Sequence, residues 1–199
     1  MPKRGPVPRR VVLASASPRR RDLLEAAGFE VIVRPAGVEE LSEGLAPRAL
    51  VIANAEMKAL ELATTTSGDV VLGADTVVVL DGQILGKPRD LKDATRMLRL
   101  LAGRTHEVLT GVCMLRGGTV VRCSFVESTL VAFRPFDEAM IVDYLKDINP
   151  LDKAGSYAAQ EDRGRLIERI EGSMDNVIGL PVARVIEALE QHFAEPQAG

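Results

Sequence analysis

The stretch VVLGADTVVVLDGQIL, residues 70–85, decides the fold of this chain. Its first part, 70–80, is rich in β-branched residues and predicts a buried strand. Asp81-Gly82 favours a two-residue hairpin turn, after which Gln83–Leu85 returns as a second strand. Because a tight hairpin joins only antiparallel strands, the sheet cannot consist of parallel βαβ units alone.

Upstream of this hairpin, strands and helices alternate. A short apolar run at 11–14 predicts a strand, and the helix that follows has Ser17 as its N-cap and Gly28 at its end. A second strand is predicted at 29–33 and a long helix at 47–63. The helical spacing predicts that the buried side of this long helix holds Leu50, Ala53, Met57 and Leu60.

Downstream, the same alternation continues. Asp90 and Asp137 are predicted helix N-caps, and a turn at Gly117-Gly118 joins two further strands. The other predicted elements are strands at 108–115, 119–124, 128–133 and 165–170, a loop at 175–180 and a final helix at 181–193. Together they predict an α/β fold with a mixed central sheet. We expect one domain over 11–193, between flexible tails at 1–10 and 194–199.

Composition excludes several classes of protein. Among 199 residues, 25 Lys and Arg face 28 Asp and Glu, and 46% are hydrophobic, so general disorder is excluded. Two cysteines are too few for a disulfide scaffold, and no apolar run approaches the ~20 residues that cross a bilayer. With no Trp, a single-stranded nucleic-acid partner is not expected. The apolar run after Arg9-Arg10 is too short for an export signal, so we expect a cytoplasmic protein.

Three consecutive arginines, Arg19–Arg21, stand at the start of the first predicted helix. A helix N-terminus carries partial positive charge, so cations there cost stability unless an anion binds. Backbone N–H groups and Arg side chains together are typical of an anion site. A solvated basic turn capped by Ser17 explains the motif equally well.

Asp75 interrupts the apolar strand at 70–80. A buried carboxylate is expensive unless it has a partner, a cation or a catalytic role. The hairpin places residue 76 opposite Lys87, which brings Lys87 near Asp75. Alternatively, Asp75 is a structural residue that is hydrogen-bonded to a neighbouring turn, and Lys87 is an ordinary surface lysine.

Glu40 lies in an acidic loop at 38–45. Together with Asp75 it could hold a hard divalent cation, because Mg²⁺ takes one or two carboxylates along with substrate phosphates. Taken alone, Glu40 and Lys58 are typical of solvated side chains.

Five segments of the chain occur in the order seen in the Maf family of nucleoside triphosphate pyrophosphatases, also known as septum formation inhibitor proteins. The chain resembles that family over residues 11–190. The segments are ASASPRR (14–20), ADT (74–76), GKPRD (86–90), DKAG (152–155) and VIGLP (177–181). The resemblance implies an elongated, two-lobed fold, similar to that of the ITPases, with a mixed sheet and a deep cleft.

The resemblance also implies a reaction. The family hydrolyses nucleoside triphosphates between the α and β phosphates with a divalent cation, for which Mg²⁺ or Mn²⁺ is expected. Carried over by motif, Glu40 and Asp75 would serve the metal and the attacking water, with Asp75 as the proton acceptor. Lys58 and Lys87 would neutralise charge on the triphosphate.

The remaining site residues concern the substrate. By resemblance, Ser17 and Arg20 would bind phosphates. Arg19, Thr76 and Gln160 look like the branch of the family that acts on dTTP and UTP, with modified pyrimidine nucleotides as further candidates.

Two other functions stay open at this point. One is a non-catalytic regulator of septum formation or cell division that binds nucleotide or DNA. The other is a phosphate-monoester phosphatase, which would release phosphate rather than pyrophosphate. The resemblance also suggests a homodimer, and we expect neither a membrane nor a nucleic-acid partner.

Overall fold

The computed structural model describes residues 7–66, 68–117 and 122–194. The strands are β1 (Arg10–Leu13), β2 (Glu30–Val33), β3 (Val70–Leu80), β4 (Gln83–Leu85), β5 (Thr105–Arg116), β6 (Arg122–Phe133) and β7 (Ile167–Glu171). The α-helices are α1 (Pro18–Ala26), α2 (Pro47–Ala63), α3 (Leu91–Leu101), α4 (Glu138–Asp147), α5 (Met174–Ile178) and α6 (Val182–His192). None of the helices in this part of the chain has the length and apolar character that a membrane span requires.

The strands form a mixed sheet in the order β2-β1-β3-β5-β6-β7, with β4 paired to β3. β1 is parallel to both of its neighbours, whereas β4 is antiparallel to β3 and β7 is antiparallel to β6. The predicted α/β class with a mixed central sheet is therefore confirmed. The hairpin register is also confirmed, because Val78 pairs with Leu85 and Leu80 with Gln83.

The described residues divide into two compact units. Unit 1 holds the residues up to Asp75, those of Thr110–Val126 and those from Gly179 onward. Unit 2 holds Thr76–Leu109 and Glu127–Ile178. Strands β3, β5 and β6 contribute residues to both units.

The core of unit 1 lies on both faces of its strands, because successive strand residues point to opposite faces. On one face, Leu72 packs with Leu24 of α1 and Val185 of α6. On the other face, Val71 packs with Ala55 and neighbouring small residues of α2. Helix α2 therefore covers one face of β3.

Helix α2 has the predicted bounds, but of the residues predicted for its buried side only Leu50 is fully buried. Its buried residues are Leu50, Val51, Asn54, Ala55, Lys58 and Ala59, and Leu60 is 48% exposed. Two glycines explain the choice of face. A Cβ at Gly73 of β3 would lie 2.2 Å from the Ala55 carbonyl oxygen, and one at Gly111 of β5 would lie 2.3 Å from that of Val51. The backbone of α2 thus packs directly on both strands, which selects its small residues rather than its largest apolar ones.

Two further expectations need correction. Residues 122–133 form one strand instead of two; β6 lies beside β5 in the sheet, and its pairs with β7 involve only residues 130–133. Residues 174–178 form the short helix α5 where a loop was predicted; the Ser173 hydroxyl accepts a hydrogen bond from Asn176 N at 3.2 Å and so supports its first turn. Residues 118–121, part of the predicted turn and strand, lie outside the described residues.

Unit 2 has its own apolar core, in which α3 and α4 pack with the strands of that unit. Asp90 and Asp137 cap these helices as predicted, since their carboxylates accept from Asp93 N and Met140 N. The largest buried side chains of this core include Leu98, Phe133 and Tyr144.

Candidate active site

Asp75 is a buried carboxylate on the face of β3 that α2 covers. It lies two residues after Gly73, so both residues point to the same face. Asp75 Oδ1 accepts a hydrogen bond from Lys58 Nζ and Oδ2 accepts one from Asn54 Nδ2, both at 2.9 Å. Asn54 and Lys58 are four residues apart and therefore neighbours on α2. The close approach at Gly73 allows these two short spans between helix and strand.

Lys58 joins Asp75 to Glu40. Its Nζ lies 2.9 Å from Glu40 Oε1 and 3.2 Å from the Ala74 carbonyl oxygen. The Lys58 side chain is only 8% exposed, whereas Glu40 is 46% exposed. An ammonium group thus lies between two carboxylates, and the three side chains carry a formal charge of −1. The structure brings together three of the residues predicted from the sequence.

Asn54 is a site residue that the sequence interpretation missed. Its Oδ1 accepts from Leu41 N at 2.8 Å, and its Nδ2 donates to Leu41 O at 2.9 Å. With the bond to Asp75, one side chain holds both the strand carboxylate and the residue next to Glu40. Two features of the sequence could have identified Asn54 as a site residue. Asn54 and Lys58 are four residues apart on one helix, and Gly73 lies two residues before Asp75.

Arg20 is also buried in unit 1. Its Nε donates to Gly179 O and its Nη1 donates to Ser15 Oγ, both at 2.9 Å. Burial lowers the pKa of the Arg20 guanidinium, and the negative charges of Asp75 and Glu40 oppose that shift. The guanidinium nevertheless stays protonated. A buried, fixed positive charge suits the binding of an anion.

The start of α1 is organised by Ser15 rather than by Ser17. Ser15 Oγ accepts from Ser17 N at 3.2 Å as well as from Arg20. Ser17 occupies the N-cap position as predicted, but among the described residues its hydroxyl makes no capping bond to α1. Ser17 and Arg19 are both half-buried. The predicted capping role of the Ser17 hydroxyl is therefore wrong.

Thr76, Lys87 and Gln160 belong to unit 2. Thr76 is half-buried, and Lys87 and Gln160 are exposed. Lys87 follows β4, whose last pair with β3 joins Val78 to Leu85, so the ladder stops short of Lys87. The loop that carries Lys87 is tied to the loop that carries Gln160, because Gly155 N donates to Gly86 O at 3.1 Å.

Two buried tyrosines hold the loop that carries Gln160. Tyr157 OH lies 2.9 Å from His106 Nε2, and Tyr144 OH accepts from Ala158 N at 3.0 Å. Burial lowers the pKa of His106 to about 4 and raises that of Tyr144 to about 12, so both groups are neutral at neutral pH. Gln160 is therefore an exposed residue of a loop whose neighbouring residues are held by buried hydrogen bonds.

No group of three or more His, Cys, Asp or Glu side chains that could hold a metal ion occurs among the described residues. Glu40 and Asp75 offer two carboxylates, a number typical of a cation that is shared with substrate phosphates.

Comparison with known proteins identifies the family. Curated relatives that carry the name dTTP/UTP pyrophosphatase match most of this chain, as three of them show. The relative from Anaeromyxobacter sp. (strain Fw109-5) is 48% identical over 92% of this chain and 89% of its own length. The relative from Anaeromyxobacter dehalogenans (strain 2CP-C) is 47% identical over 92% and 93%, and that from Bacillus pumilus (strain SAFR-032) is 41% identical over 94% and 98%.

A solved dITP/XTP pyrophosphatase from Mycobacterium abscessus aligns with a TM-score of 0.41 at 15% identity, over 62% of this chain and 74% of that one. This likeness is too weak to bear on fold or function. The model of the family described as Maf-like protein, in contrast, matches residues 10–192. With that match and relatives of such high identity over most of its length, the chain belongs to the Maf family.

Proposed function

We propose that this protein is a nucleoside triphosphate pyrophosphatase that hydrolyses dTTP and UTP to the monophosphate and pyrophosphate. The observation that carries the proposal is the buried ammonium of Lys58, held at 2.9 Å from both Glu40 and Asp75. A buried lysine that lies between two carboxylates is a candidate functional site on physical grounds. The names of the curated relatives supply the reaction and the pyrimidine nucleotides.

The carboxylates fit a divalent cation. They already accommodate one positive group between them, and oxygen donors are those that Mg²⁺ and Mn²⁺ prefer. We therefore assign Glu40 and Asp75 as its ligands, with the phosphates of the substrate completing the coordination. When bound, such a cation neutralises phosphate charge and makes water more acidic.

Asp75 is the proton acceptor in this proposal. Water attacks the α-phosphorus, the bond from that phosphorus to the bridging oxygen breaks, and pyrophosphate leaves with the bonding electrons. The proton of the water passes to Asp75. Asn54 and Lys58 each bind one oxygen of this carboxylate, which fixes its orientation for the transfer. Catalysis of phosphoryl transfer depends on positioning and charge stabilisation more than on covalent chemistry.

The other predicted residues act on the substrate. A nucleoside triphosphate carries about four negative charges, and fixed cations stabilise charge that develops on transferring phosphorus centres. Arg20 and Ser17 would bind phosphates at the start of α1, and Lys58 and Lys87 would neutralise the triphosphate.

Arg19, Thr76 and Gln160 would select the pyrimidine base, including modified pyrimidines. Gln160 suits this role because its loop is held by buried hydrogen bonds while its own side chain is exposed. Such a pre-ordered loop loses little conformational entropy when it binds a base. We also propose that the protein works in the cytoplasm without a nucleic-acid partner, and a homodimer stays a prediction.

The test is product analysis over a panel of nucleoside and deoxynucleoside triphosphates with Mg²⁺ or Mn²⁺, with pyrophosphate and phosphate measured separately. Pyrophosphate from dTTP and UTP is the expected result. Release of phosphate alone would support a phosphatase instead. Nucleotide binding without any turnover would support the non-catalytic regulator.

A further inference from the structure

Asn54 is a fully buried polar side chain in the middle of α2, at 1% exposure. An unpaired amide in such a place is costly, and an aliphatic residue of similar size would pack without that risk. Three of its hydrogen bonds go to two different parts of unit 1: two to the backbone of Leu41 and one to Asp75.

The first part is the loop at 38–45, which has no regular secondary structure. Asn54 binds both the N–H and the C=O of Leu41, at 2.8 and 2.9 Å. A residue held at both backbone groups has little freedom to rotate, so the adjacent Glu40 is held as well. The amide of Asn54 does here what a neighbouring strand would do in a sheet.

The second part is the Asp75 carboxylate. Asn54 binds Oδ2, while Lys58 binds Oδ1. Asn54 is neutral, so its hydrogen bond to Asp75 does not repel a cation. The ammonium of Lys58 is positively charged and does repel one. Asn54 can therefore hold the Asp75 carboxylate and the backbone next to Glu40 whether or not a cation is bound.

We infer that Asn54 is a positioning residue that fixes Glu40 relative to Asp75 and thereby sets the affinity of the site for its divalent cation. This inference rests on the proposed function for the identity of the site. Because the loop is already ordered, the binding of a cation costs less conformational entropy.

The test replaces Asn54 with Leu, which has a similar shape and no hydrogen-bonding group. The matched control is Asn176→Leu in unit 2, because Asn176 is also a fully buried Asn whose amide binds Val108 O and Thr129 Oγ1. Three quantities are compared with wild type: hydrogen exchange of the Leu41 amide, the Mn²⁺ concentration that gives half-maximal activity, and the KM for dTTP at saturating Mn²⁺.

For Asn54→Leu we expect Leu41 exchange at least tenfold faster and the half-activating Mn²⁺ concentration about tenfold higher, with a smaller change in KM. Asn176→Leu should lower thermal stability and leave all three quantities unchanged. Unchanged Mn²⁺ activation in a folded Asn54→Leu protein would overturn the inference, as would an equal shift in the control.

If circular dichroism shows that Asn54→Leu does not fold, Asn54→Ser takes its place, because the shorter side chain cannot bridge Leu41 and Asp75.

If the wild type releases no pyrophosphate, the proposed function fails by itself. The inference is then judged on Leu41 exchange and on Mn²⁺ binding without nucleotide, measured by electron paramagnetic resonance, and unchanged values in both would refute it.

Discussion

Lys58→Met is expected to tighten the binding of Mn²⁺ to the nucleotide-free protein while it abolishes most turnover. Met has a similar length and no charge, so the change removes the ammonium that lies 2.9 Å from Glu40 and from Asp75. The formal charge of the cluster falls from −1 to −2. In wild type, a cation that takes both carboxylates must first displace this ammonium from at least one of them.

The magnitude follows from the bond that is displaced. A hydrogen bond to a charged group contributes about 1.5–3 kcal/mol. Glu40 is 46% exposed, so its bond to Lys58 is discounted for solvent screening to the lower end of that range. A gain of about 1.4 kcal/mol corresponds to a tenfold lower Kd for Mn²⁺. Turnover should fall by about 100-fold or more, because one fixed charge for the transition state is lost.

The assay is a titration with Mn²⁺ in which electron paramagnetic resonance measures the free ion. Lys153→Met is the matched control, because Lys153 is a buried lysine of unit 2 that also contacts a carboxylate, that of Asp152. The control should bind Mn²⁺ as wild type does. Equal or weaker binding by Lys58→Met would refute the competition between ammonium and cation, and so would a tenfold gain in the control.

Three further predictions concern the packing and stability of the two units. Gly73→Ala puts a Cβ 2.2 Å from the Ala55 carbonyl oxygen, so α2 must move; we expect a loss of about 1–3 kcal/mol in chemical denaturation and activity reduced more than tenfold. The pKa of His106 is about 4 in the folded protein and about 6.5 when unfolded, so its contribution to stability is present at neutral pH and is lost as pH falls through 6.5 toward 4. The free energy of unfolding of the wild type should therefore fall by about 3 kcal/mol over that range, and that of His106→Gln should not show this loss. Curves of unfolding free energy against pH that run parallel for the two proteins would contradict this. Asp90→Ala removes the cap of α3 and should cost about 1 kcal/mol in thermal unfolding with unchanged kcat; an altered kcat would contradict a purely structural role.

Local chemistry was enough to predict much of the fold. The β-branched run of β3, the Asp81-Gly82 turn and the Asp90 cap each act over a few residues, and the structure has all three. The buried face of α2 could not be predicted in the same way. Helical spacing favoured the side with Leu60, whereas Gly73 and Gly111, which lie outside the helix in sequence, select the side with Asn54 and Ala55.

The same long-range packing limited what could be predicted of the site. Asp75 stood out because a carboxylate inside an apolar strand needs a partner. Its contact with Lys58 depends on which face of α2 meets β3, and that face was misassigned from the sequence. Asn54 was missed for the same reason. Glu40 lies in an irregular loop, so its contact with Lys58 follows no periodic pattern and was not predicted.

In the proposed reaction, Asp75 accepts the proton when water cleaves a triphosphate between its α and β phosphates. The most direct test follows dTTP and its products by ³¹P nuclear magnetic resonance with wild type and Asp75→Asn, both shown to be folded by circular dichroism. We predict dTMP and pyrophosphate from wild type, and turnover reduced at least 100-fold in the variant. Formation of dTDP and phosphate by wild type, or undiminished turnover by Asp75→Asn, would contradict the account.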